Sequence, residues 1–122
     1  MGVPANESTI LRAVHLALGT RSDCRMWRQQ VAIAVPVGML CRECRSKSPI
    51  RYGIPGQPDL FGIHKGSGKL ISCEVKAENG RMTGEQLAWS AMMDAFNAIN
   101  LSGHDGVRSV EQALARLEEA IK

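Results

Sequence analysis

The stretch Gly53-Ile-Pro-Gly-Gln-Pro-Asp59-Leu-Phe-Gly-Ile-His64-Lys-Gly-Ser-Gly-Lys69-Leu-Ile-Ser-Cys73-Glu-Val-Lys76 decides how this chain is read. It begins with a turn-rich approach, Gly53 to Pro58, in which glycine and proline dominate. Two short apolar runs follow, Leu60–Ile63 and Leu70–Val75, with Lys65-Gly-Ser-Gly68 between them. That pattern predicts a β-hairpin. With Lys65–Gly68 as the loop, His64 faces Lys69. The same register then carries Asp59 opposite Glu74, on one face of the pair, with Cβ atoms ~5 Å apart. Lys76 lies two residues beyond Glu74 and projects from that face as well.

Two carboxylates set side by side repel each other, so a sheet gains no stability from this placement. A divalent cation removes the repulsion. Mg²⁺ takes oxygen ligands and is commonly held by one or two carboxylates together with water and substrate phosphate. Asp59 and Glu74 are the expected ligands, and the main-chain carbonyl of Val75 can add a third. Lys76 would orient a water molecule or stabilise negative charge in the transition state. The competing reading is a surface hairpin with one Glu–Lys pair on a solvated face. The opposed carboxylates, the Gly/Pro turn before them and the capped helix after them favour the metal site.

Outward from the hairpin, a first helix is expected from Glu7 to about Leu18, capped by Asn6 or Ser8, with Gly19 at its end. Its apolar stripe is Ile10, Leu11, Val14 and Leu18. Arg25 to Val37 reads as one or two strands interrupted at Pro36. Cys41 to Ser48 reads as a polar loop. After the polar turn Glu78–Met82, a helix starts at Thr83 with Gln86 completing a capping box. Its expected stripe is Trp89, Met92, Met93, Phe96 and Ile99. A turn at Gly103–Gly106, a short strand near Val107 and a last helix capped by Ser109 close the order. Val110, Ala113, Leu114, Leu117 and Ile121 form that helix's apolar face. The fold class is α/β, a mixed sheet flanked by helices.

With 122 residues the chain makes a single domain, 1–122. Hydrophobic residues at 44% and charged residues at 22% exclude a disordered chain, a collagen-like fibre and a coiled coil. The net charge of +3 is unevenly spread. Arg12 to Arg51 holds eight basic residues against two acids, and the remainder seven against ten. Such asymmetry suits a polyanion-binding face beside an acidic site, or equally a solvated surface with uneven charge. Arg21, Arg25, Arg28, Lys47 and Arg51 are the candidate phosphate contacts. Aromatic residues are only 4%, which argues against a single-strand platform of stacked rings and for recognition by backbone and shape. The longest apolar run, Val31 to Cys41, falls short of the ~20 residues a membrane span needs. No basic and apolar secretory leader is present, so a cytoplasmic protein is expected. Cys41 and Cys44 have the spacing of two zinc ligands, but no second pair completes a site, and free thiols are the favoured reading.

The run from Gly53 to Ile63, then Cys73-Glu-Val-Lys76, then Glu85-Gln86 on the next helix resembles the VRR-NUC (virus-type replication–repair nuclease) family of the PD-(D/E)xK nuclease superfamily. Gly106-Val-Arg-Ser-Val-Glu-Gln112 is similar to the family's final strand and helix start. The resemblance implies a restriction-endonuclease-like mixed sheet flanked by helices and a metal-dependent phosphodiesterase acting on DNA. It implies Mg²⁺, with Mn²⁺ as a substitute, on Asp59 and Glu74, with Lys76 as the catalytic lysine. Gln86 matches the family's helix glutamine, and Glu7 the acid that the superfamily often places beside the metal. Stand-alone bacterial and phage members resemble Holliday-junction resolvases and act as homodimers, which suits so short a chain. The segment Val31–Lys47 departs from the pattern. The alternatives are a non-catalytic DNA-binding subunit of the same fold, a sequence-specific restriction-type endonuclease and a small zinc-stapled interaction module.

Overall fold

The computed structural model describes residues 6–29, 32–34 and 50–122. Helix α1, Glu7–Gly19, starts where Asn6 accepts the Thr9 N–H at 2.8 Å. Leu11, Val14 and Leu18 are its buried stripe, and Thr20 caps its end. The chain then turns into β1 (Cys24–Arg28). Two three-residue strands, β2 (Ala32–Ala34) and β3 (Ile50–Tyr52), pair antiparallel as a separate ribbon. β4 (Leu60–His64) and β5 (Leu70–Cys73) form the expected hairpin, with Leu60 facing Cys73 and Ile63 facing Leu70. His64 donates its N–H to the Lys69 carbonyl at 3.0 Å, so the loop is the expected one and the register is the one that carries Asp59 opposite Glu74.

The expected run of strand from Arg25 to Val37 appears as β1 and β2, and its last residues lie outside the described ones. Helix α2, Gly84–Ala95, carries both halves of the Thr83–Gln86 capping box. It ends earlier than its apolar spacing suggests. Phe96 caps it and is 74% exposed, and Asn97 takes a left-handed φ of 60° that turns the chain back. Ile99 therefore leaves the helix and forms the two-residue strand β6 (Ile99–Asn100), parallel to β5. Near Val107 there is no full strand, only a parallel bridge to Val75. Helix α3, Val110–Ala120, is capped by Ser109 and buries Ala113 and Leu117.

The main sheet runs β1-β4-β5-β6 and is mixed, with its first two pairings antiparallel and its last parallel. Alternation along the strands separates its faces. Leu60, Ile71, Cys73 and Val75 face the stripes of α1 and α3 in one apolar core. Burying a side chain such as Leu60 or Leu117 contributes roughly 1.5–3 kcal/mol. Phe61 and Ser72 face the other way, beneath α2. There the Phe61 and Trp89 rings meet edge to face at 5.9 Å, and Trp89 Nε1 donates to Ser72 Oγ at 3.1 Å. The architecture is a small α/β domain with helices on both faces of a mixed sheet. No helix among the described residues is long and apolar enough to cross a membrane.

Candidate active site

The hairpin ladder ends at Leu60–Cys73, and the next residues on each strand are Asp59 and Glu74. The turn that delivers Asp59 is tightly built. Gln57 N–H donates to the Ile54 carbonyl at 3.0 Å, and Gln57 Oε1 accepts the Ile54 N–H at 3.2 Å. Gly56 has φ +88°, and a Cβ there would lie 2.3 Å from the Glu85 carbonyl oxygen, so only glycine lets this turn rest against the start of α2. On its other side, Asp59 accepts the Gln29 N–H through its main-chain carbonyl at 2.8 Å, which extends the β1–β4 pairing by one step.

Glu74 is held by its backbone. Its N–H donates to Ser102 Oγ at 2.8 Å and its carbonyl accepts the Val107 N–H at 2.8 Å. The Lys76 N–H donates to the Val107 carbonyl at 2.9 Å. With residues 74 and 76 committed to that edge, strand geometry directs the Val75 carbonyl to the opposite edge, the side of Asp59. The Glu74 and Lys76 side chains share one face and are both buried, at 7% and 8% exposure. Glu74 Oε1 lies 3.4 Å from Lys76 Nζ and accepts a hydrogen bond from Gln86 Nε2 at 3.1 Å. Gln86 Oε1 meanwhile accepts the Thr83 N–H at 2.9 Å. One side chain thus caps α2 and reaches the carboxylate.

Burial, helped by the negative charges of Asp59 and Glu7, pushes the Glu74 carboxyl up to about 7 against the pull of Lys76. Glu7, exposed in the first turn of α1, thus acts on the same carboxylate that Asp59 faces. Cys73, on the opposite face, is fully buried and pushed up to about 12 by burial and by Glu74, so it stays a thiol.

Among the described residues, no group of three or more His, Cys, Asp or Glu side chains is placed to hold a metal ion. A cation here would rest on two carboxylates, the Val75 carbonyl and water. That oxygen set suits Mg²⁺ or Mn²⁺ and not a closed zinc site. The chemistry of the donors fits: Glu74 and Asp59 are oxygen donors in register on adjacent strands, and a carboxylate raised by burial, then by its acidic neighbours, is one that a nearby positive charge stabilises.

The candidate phosphate contacts are dispersed. Arg25 and Arg28 are exposed on edge strand β1, and Arg28 pairs with Leu60, next to Asp59. Arg25 lines a cavity of about 420 Å³ with Arg12 and His15. Arg21 is drawn away from such a role. It bonds both oxygens of Asp23 at 2.9 Å and reaches Glu118 at 2.7 Å, tying the entry of β1 to the end of α3. Those contacts hold the Asp23 carboxyl well below the usual range. Arg51 sits in β3, with its side chain outside the described set, and Lys47, Cys41 and Cys44 lie outside the described residues altogether.

Three residues that sequence reasoning did not single out shape the site. Ser102 holds the Glu74 backbone. Arg116 donates from Nη1 to the carbonyls of Leu101, Ser102 and Gly106 at 2.7, 2.9 and 3.2 Å, fixing the loop that carries Ser102. Arg108 spans the two loops beside Lys76. All three act on main-chain atoms, most of them ten or more residues away in sequence. The one local signal was that Arg108 directly follows the strand-like Val107. No protein-family model, curated protein or solved structure matches the chain.

Proposed function

We propose that this chain is a divalent-metal-dependent DNA endonuclease, structure-selective in the manner of a Holliday-junction resolvase. Its fold would be of the restriction-endonuclease type and its working form a homodimer, in the cytoplasm of a bacterial or phage-infected cell. One observation carries the reading. The buried Glu74 carboxylate, next to Asp59 in register, is contacted by both Lys76 at 3.4 Å and Gln86 at 3.1 Å. A solvated surface hairpin has no reason to bury a Glu–Lys pair, because desolvating two charges costs more than an exposed pair returns.

Asp59, Glu74 and the Val75 carbonyl would hold Mg²⁺ or Mn²⁺, which when bound polarises a phosphoryl oxygen and lowers the pKa of a water. Lys76 would supply positive charge to the developing phosphorane. Gln86 would fix the rotamer of Glu74, and Glu7 would add negative potential. Arg25 and Arg28 on β1, the outer strand of the sheet among the described residues, would track phosphates.

The test is incubation with four-way junction, flap, plain duplex and single-stranded DNA, each with Mg²⁺ or with EDTA. The expected result is cleavage of the junction in Mg²⁺ only. Cleavage that persists in EDTA would defeat the metal mechanism, and equal cutting of plain duplex would defeat the structural selectivity. Light scattering tests the dimer: a monomer at micromolar concentration contradicts the resolvase reading.

A further inference from the structure

The side chain of Lys76 runs through a slot made of backbone. On one wall is Gly106, where a Cβ would lie 2.7 Å from Lys76 Cγ and 3.3 Å from its Cβ. On the other is Gly80, where a Cβ would lie 3.4 Å from Lys76 Cδ. The slot confines the aliphatic stem and leaves Nζ aimed at Glu74 Oε1.

One guanidinium bridges the two walls, although Arg116 also holds the Gly106 carbonyl. Arg108 Nη2 donates to the Gly80 carbonyl at 2.9 Å and to the carbonyl of Asp105, the residue before Gly106, at 3.0 Å. Its Nη1 donates to the Glu78 carbonyl at 3.1 Å and to that of Ala77. One side chain thus pins the turn after Lys76 on one side and the loop before Val107 on the other. The planar, multiply donating fork of arginine suits this bridging, whereas a lysine ammonium is a compact point charge on a flexible stem.

We infer that Arg108 is a positioning residue for Lys76. It closes the two-walled slot that holds the lysine against Glu74 and touches neither carboxylate of the site. The consequence for catalysis rests on the nuclease reading above; the slot itself does not.

The experiment compares wild type with Arg108→Ala and Arg108→Lys, each below its own melting transition, through two readouts. The first is acylation of lysine amines by a water-soluble ester, with Lys76 followed by mass spectrometry against Lys122, whose side chain is 76% exposed. Lys76 is expected to be protected in wild type and to react several-fold faster in both variants, with Lys122 unchanged. The second is kcat and KM on the cleaved DNA. A displaced catalytic group is expected to lower kcat roughly a hundredfold with KM unchanged. Arg108→Lys retains the charge but not the fork, so it shares the loss of kcat. If Arg108→Ala does not fold, Arg108→Lys alone decides.

Unchanged Lys76 labelling overturns the inference whatever cleavage does. A raised KM with kcat intact overturns it too, by assigning Arg108 to DNA contact. Wild type that cuts no DNA, with Lys76 still unmasked in the variants, defeats the nuclease reading and leaves the slot standing.

Discussion

Consecutive residues of one segment, Cys73 to Lys76, show how differently equal burial can be used. Cys73 and Val75 point into the α1–α3 core at 1% and 3% exposure, and Glu74 and Lys76 point the other way at 7% and 8%. Solvent is excluded from all four. On the core face, burial makes the Cys73 thiol inert, pushed up to about 12. On the site face, burial leaves Glu74 poised at about 7, between a lysine and a glutamine. Burial raises both groups; what differs is their company, apolar core side chains around Cys73 and the polar side chains of Lys76 and Gln86 around Glu74.

The largest way to break this comparison is to remove charge from the site face. Asp59→Asn or Glu74→Gln is expected to lower the DNA cleavage rate by roughly 10²–10⁴, the range a positioned catalytic group supplies, with the fold retained by circular dichroism. Leu60→Ala does the reverse. It empties a core position at 0% exposure and is expected to cost about 2–5 kcal/mol in urea unfolding. Cleavage per folded molecule should be unchanged, because the side chain faces away from Asp59. If Leu60→Ala also abolished cleavage in the folded fraction, the two faces would not be separable.

A pH series sharpens the contrast. The folded-state value of Glu74, about 7, lies above the 4.5 of an unperturbed glutamate. Between those values the folded form holds a proton that the unfolded form has lost, so stability falls as pH rises from about 4.5 to about 7. The full effect is at most ~3 kcal/mol. Melting temperature against pH should show this decline in wild type and lose it in Glu74→Gln. Above pH 7, added Mn²⁺ should raise the wild-type melting temperature, since an ion bound only by the folded state stabilises it. The gain should shrink in Glu74→Gln. A smaller effect is expected from Gln86→Ala, which loses half a capping box and a hydrogen bond to Glu74. A loss of about 1 kcal/mol in denaturant unfolding is expected, together with a shifted pH dependence of cleavage.

The hairpin beneath this site was legible because its register is set locally. The Lys65–Gly68 loop fixed which residues face each other, and with it the register that puts Asp59 across from Glu74. Gln86 was legible through its capping role. The end of α2 was not, since the apolar spacing continues through Phe96 and Ile99 and only the left-handed turn at Asn97 breaks it. Arg21 has the look of a phosphate contact in sequence, yet Asp23 and Glu118 claim it, the latter from the far end of the chain. The roles of Arg108 and Arg116 were hidden for a similar reason. They bind backbone carbonyls, and any residue type can present a carbonyl.

The central claim is that Lys76 acts in chemistry from its buried place beside Glu74. Its most direct test is the single-turnover cleavage rate of a four-way junction by wild type and by Lys76→Ala in Mg²⁺, with Mn²⁺ binding measured by calorimetry on both proteins. The expected result is a loss of roughly a hundredfold or more in rate, with metal binding kept. Lys76→Ala that cuts at the wild-type rate would contradict the account.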